Sequence, residues 1–121
     1  MSAELKVTIS AALIKGDLKV NFAPPQQSID VSGQPVRGGV VSVGTSEEDL
    51  DVGDVATEGW LFLKNLDASN FITFGPKDTT MTAFGKLKAG ESCCFRLLPG
   101  VTLRWQADTA AVNVQVELLS D

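Results

Sequence analysis

Apolar and polar residues alternate with a period of two through most of this chain, and that alternation constrains the fold more than any other feature. Leu5, Val7, Ile9, Ala11 and Leu13 alternate with Lys6, Thr8, Ser10 and Ala12; after Lys15-Gly16-Asp17 the pattern resumes at Leu18, Val20 and Phe22. Further on, Val101, Leu103, Trp105 and Ala107 alternate with Thr102, Arg104, Gln106 and Asp108. Val112, Val114, Val116 and Leu118 then alternate with Asn113, Gln115 and Glu117, the clearest one-face burial in the chain. Successive side chains of a strand point to opposite faces, so each run predicts a strand with one face in a core. Helical periodicity is nearly absent.

Punctuation between these runs sets the strand lengths. Lys15-Gly16-Asp17 predicts the turn of an opening hairpin, and Pro24-Pro25 stops it because proline cannot donate to a ladder. Ser28 to Val31 reads as a short strand ended by Ser32-Gly33-Gln34-Pro35, and Val40, Val41 and Val43 form a β-branched run after Gly38-Gly39. Residues 59–66 are almost continuously apolar, which suits a central strand buried on both faces or one at a subunit contact. Asp67-Ala68-Ser69-Asn70 predicts a turn, Phe71 to Phe74 a strand ended by Gly75-Pro76, Thr79 to Phe84 another, and Ser92 to Leu98 one ended by Pro99-Gly100. With turn signals every 8–12 residues, about eight to ten short strands are expected in one all-β domain over residues 1–121, an antiparallel sandwich or barrel.

The composition narrows the function. The 121 residues are 44% hydrophobic and 21% charged, a globular composition. The net charge of −5 argues against a phosphate backbone as partner. The longest apolar stretches fall far short of the roughly 20 residues that a membrane helix needs. The segment Met1-Ser2-Ala3-Glu4-Leu5-Lys6 lacks the features of a secretory signal, so the chain is expected to act where it is made or to leave by another route, such as lysis. Histidine and tyrosine are absent, which removes the commonest general base and metal ligand. No Ser-x-x-Lys, Gly-x-Ser-x-Gly or phosphate-binding glycine fingerprint occurs, so no enzyme activity, cofactor or metal is expected. Cys93 and Cys94 are neighbours on a strand and read as free thiols packing as small hydrophobes.

Two groups of residues remain as candidates for binding. Glu47, Glu48, Asp49, Asp51 and Asp54, with Glu58 beyond them, form an acidic segment expected in an exposed loop, with one helical turn over residues 47–50. Three readings compete for it: a solvated loop, a contact with a basic partner, and a calcium site that the EF-hand pattern does not support. The second group is the apolar excess of residues 59–74. Trp60, Leu61, Leu63, Phe71 and Phe74 exceed what one buried face requires and are the candidate protein interface. Trp60 and Trp105 themselves read first as core residues, since each lies on an alternating strand.

The segment Gly59-Trp60-Leu61-Phe62-Leu63-Lys64-Asn65-Leu66-Asp67, followed by Asn70-Phe71-Ile72-Thr73-Phe74-Gly75, resembles a recurrent segment of tailed-bacteriophage virion proteins. The resemblance continues through Leu87-Lys88-Ala89-Gly90-Glu91, Phe95 to Gly100, Leu103-x-Trp105-x-Ala107 and the closing valine-rich strand, so it covers residues 59–119. It implies a small jelly-roll subunit of a phage particle, foremost an auxiliary capsid (cement or decoration) protein. Such a protein sits on the outer surface of the shell as a homo-oligomer, often a trimer, and braces the major capsid protein. A head–tail connector or tail component, and a jelly roll that binds carbohydrate or a host receptor through an exposed tryptophan, are the alternatives.

Overall fold

The structure, a computed structural model, describes residues 4–31, 33 and 35–121. These residues form thirteen strands and no helix, in two compact units divided at residue 32. The sandwich expected over residues 1–121 occupies only the second unit, Gly33–Asp121.

The first unit is a two-stranded ribbon. β1 (Leu5–Val7) pairs antiparallel with β4 (Gln27–Ile29), and β2 (Ala11–Lys15) with β3 (Leu18–Phe22). Leu5 faces Ile29 whereas Ala11 faces Phe22, so the register slips by one residue where Pro24 and Pro25 interrupt the ladder. The alternation of residues 5–13, which reads as one strand, is therefore split in two. The hairpin turn lies where Lys15-Gly16-Asp17 places it. Lys15 pairs with Leu18 around a two-residue loop in which Gly16 has φ 60°, left-handed backbone that glycine adopts without a Cβ penalty. Of the turn expected at residues 32–35, Ser32 and Gln34 lie outside the described residues, as do Met1–Ala3.

The second unit is a jelly roll. β5 (Val36–Val43), β7 (Glu58–Asn65), β11 (Ser92–Arg96) and β13 (Val112–Ser120) form one sheet in the order β11-β7-β13-β5. β6 (Glu48–Asp49), β8 (Ile72–Asp78), β10 (Gly85–Leu87) and β12 (Leu103–Ala107) form the other in the order β10-β8-β12-β6, with β9 (Thr80–Met81) appended to β8. Leaving β9 aside, the eight strands are arranged first-eighth-third-sixth and second-seventh-fourth-fifth, the double Greek key of a jelly roll, with every pairing antiparallel.

The core lies between the sheets. Leu61, Leu63, Val112, Val114, Val116 and Leu118 face Ile72, Phe74, Leu103, Trp105 and Ala107, all buried. Gly85 lies opposite Phe74, and a Cβ there would collide with the ring, so the glycine leaves room for the aromatic to fold over it. Asn65, fully buried at the end of β7, donates from Nδ2 to the carbonyls of Asn70 and Leu87 at 3.0 Å each, and its Oδ1 accepts from the Asp67 amide at 2.8 Å. This set of bonds holds the turn at residues 67–70 against β10. Gly75-Pro76 does not end its strand as expected. Pro76 lies beyond the end of the β10 pairing, where its missing donor costs no ladder bond, and β8 continues to Asp78.

Candidate protein-docking face

The pairing registers determine which side chains lie outside each sheet, and the two outer faces differ. On the β10-β8-β12-β6 sheet the outer positions are polar: Thr73, Arg104, Gln106 and Asp49. Arg104 donates from Nε to Asp49 Oδ1 at 2.7 Å and from Nη1 to Glu47 Oε1 at 3.0 Å. Glu47 Oε1 also accepts the Met81 amide at 2.9 Å. The amide bond first and the guanidinium second hold Glu47 below its ordinary pKa; the Arg104 hydrogen bond does the same for Asp49. The two carboxylates in turn raise that of Arg104.

The acidic segment is thus drawn into the structure. Residues 48–49 form β6 rather than a helical turn, because pairing with Arg104 and Trp105 satisfies their backbone. Glu48 Oε2 accepts the Gly44 amide at 3.2 Å, and Asp51 Oδ1 the Gly53 amide at 2.9 Å. Asp54 is exposed. Among the described residues no group of three Asp, Glu, Cys or His side chains is placed to share a metal ion. The open cavity of about 260 Å³ beside Asp49, Glu58, Leu97 and Val101 includes one carboxylate already committed to Arg104.

The outer face of the β11-β7-β13-β5 sheet is different. Trp60, Phe62, Cys94 and Leu119 lie half-buried on it among Lys64, Asn113, Gln115 and Glu117, and Val36 and Val40 stand exposed along its β5 border. Trp60 and Phe62 stack with ring centroids 6.1 Å apart, and the Arg96 guanidinium lies 5.8 Å above the indole while pairing with Asp121. Gly38, between the two exposed valines, leaves a trough over which the Glu117 carboxylate extends. Cys93, one residue out of step with Cys94, turns toward the core, and burial pushes its thiol up to about 11; both cysteines are free.

Of the five apolar residues expected at an interface, only Trp60 lies on this outer face. Leu61, Leu63 and Phe74 point into the core. Phe71 is half-buried, with the Lys86 ammonium 4.1 Å from its ring centroid. The surplus of residues 59–66 is real, but its outward half is Trp60 and Phe62. Trp105, 1% exposed, is core as expected. Sequence reading missed Val36 and Val40, and missed that the alternating Leu13, Leu18, Val20 and Phe22 are 45–56% exposed and Ile14 76% exposed.

No protein-family model and no curated protein matches the chain. Among solved structures, a chain from a study titled "Bacillus endospore appendages form a novel family of disulfide-linked pili" is similar over 78% of this chain and 98% of that one, at 15% identity and a TM-score of 0.39. A likeness at that level carries no argument about function.

Proposed function

We propose that this protein is a non-enzymatic structural subunit that works by packing against other protein subunits. The supporting observation is a difference between the outer faces of the jelly roll: one is ion-paired through Arg104, while the other sets Trp60, Phe62, Leu119 and two exposed border valines among its polar residues. Apolar surface gathered on one face favours protein contact, because covering it removes it from water. Of the settings for such a subunit, the resemblance of residues 59–119 to phage virion proteins favours a cement or decoration protein on the outer surface of a capsid. There it would bind the major capsid protein and brace the shell from outside.

The test is direct. Purified protein is added to expanded shells that lack it, and shell disruption on heating is followed by light scattering. Saturable binding with a rise in disruption temperature is expected, and substitution of Trp60 or Phe62 by Ala should weaken it. Failure to bind, with no change in shell stability, would refute the cement reading.

A further inference from the structure

The ribbon of residues 4–31 presents an apolar side that the chain leaves open. The β2–β3 register puts Ala11, Leu13, Leu18, Val20 and Phe22 on one side, with Lys15 at its tip, and Ala12, Ile14, Lys19 and Asn21 on the other. All are exposed. A two-stranded ribbon is marginal in water and gains independent stability from a further strand or a surface to pack on.

We propose that the apolar side of the β2–β3 ribbon of one copy packs on the β5 border of the outer face of a second copy. Three observations favour that occupant. The border offers exposed apolar side chains, Val36 at 55% and Val40 at 60%, on either side of the Gly38 trough, with Leu119 opposite Val36 and Gln115 opposite Val40. Among the described residues β5 is also the longest sheet edge of the jelly roll without a second strand, eight residues against two, three and five for β6, β10 and β11. Short edges resist addition of another chain, whereas a long one invites it.

Charge gives the third argument. The three lysines and three acids of residues 1–32 cancel, so the whole net charge of −5 belongs to residues 33–121. Lys15, on the apolar side of the ribbon, then meets Glu117, which lies across the trough. Two ribbons packed face to face would offer Lys15 no carboxylate, since Ala11, Leu13, Leu18, Val20 and Phe22 are the other residues of that side. Each copy carries one ribbon and one receiving border, so the contact is head-to-tail and produces rings or open chains. This inference does not rest on the capsid role: shell binding by a monomer would leave that role standing and overturn this contact.

The experiment uses the full chain and two double variants, Leu13→Lys with Val20→Lys on the ribbon and Val36→Lys with Val40→Lys on the border. Light scattering after gel filtration, over a concentration series, should show wild-type mass rising with concentration. Each double variant alone should associate at least about tenfold more weakly. Mixed in equal amounts they should form a one-to-one complex that stops at two, since each retains the half the other lacks. Wild type that stays monomeric throughout the series, or variants that do not complement, would overturn the proposal. Far-UV circular dichroism checks folding. Should either double variant unfold, Lys15→Glu and Glu117→Lys replace them: each is expected to weaken association and the pair to restore it, and absence of restoration counts against the contact.

Discussion

Trp60 and Trp105 occupy equivalent sequence settings and opposite structural ones. Both lie on alternating strands among apolar neighbours, but Trp105 points between the sheets and is 1% exposed, while Trp60 points out of its sheet under the Arg96 guanidinium. Their difference separates two uses of apolar surface. Trp105, Leu61 and Phe74 hold the sheets together; Trp60 and Phe62 lie half-buried on the outer side of theirs. The polar face across the sandwich, with Arg104 between Asp49 and Glu47, shows that the fold itself does not require an apolar exterior.

The contrast can be broken by truncation. Trp105→Ala should cost about 3–5 kcal/mol of unfolding free energy by emptying the middle of the core, and Trp60→Ala about 1–2 kcal/mol, both measured by denaturant titration. Equal costs would mean that Trp60 is also a core residue. Within β7 the same contrast sets Asn65 against Lys64. Asn65→Ala leaves buried backbone groups of Leu87 and Asp67 without partners and should cost about 3 kcal/mol, whereas the exposed Lys64→Ala should change little.

Acid should act on the polar side. Glu47, Asp49 and Asp67 all have pKa values lowered by folding, Asp67 chiefly by the amides of Asn70 and Ser69. A carboxylate depressed in the folded state adds stability that is fully present above its unfolded pKa and is lost as pH falls through its folded one. Thermal midpoints should therefore hold steady above the ordinary carboxylate range near pH 4 and decline below it. Arg104→Ala should flatten chiefly Asp49's share of that decline and lessen Glu47's, which the Met81 amide continues to hold.

Smaller effects sharpen the division further. The Cys93 thiol, at about 11, stays protonated at pH 8, so its alkylation by iodoacetamide, followed by peptide mass spectrometry, should be much slower than that of the same cysteine in the unfolded chain. Val36→Lys and Val40→Lys should each change stability by no more than about 0.5 kcal/mol, since both side chains already face water.

Much of the fold could be read in the order of residues. Val112 to Leu118 buries alternate side chains as written, Lys15-Gly16-Asp17 turns where it should, and the Asn65-to-Asn70 turn is anchored by Asn65 and Asp67. Alternation failed as a guide in the ribbon, where Leu13, Val20 and Phe22 share a side and are all exposed. It placed Leu61 and Leu63 outside the core because residues 60–63 are apolar at every position. A continuous run does not say which parity faces the opposite sheet, and so Leu61 and Leu63 could not be separated from Trp60 and Phe62.

The sequence by itself determined most of the strands, the main turns and the antiparallel class, because period-two burial and turn chemistry are local properties of neighbouring residues. Only the tertiary structure decided that Arg104 gathers Glu47 and Asp49, that Val36 and Val40 border Trp60's face, and that residues 4–31 form a unit of their own. Those facts depend on which strands lie side by side. A jelly roll pairs its first strand with its last, a long-range choice set by packing and left unmarked in local spacing.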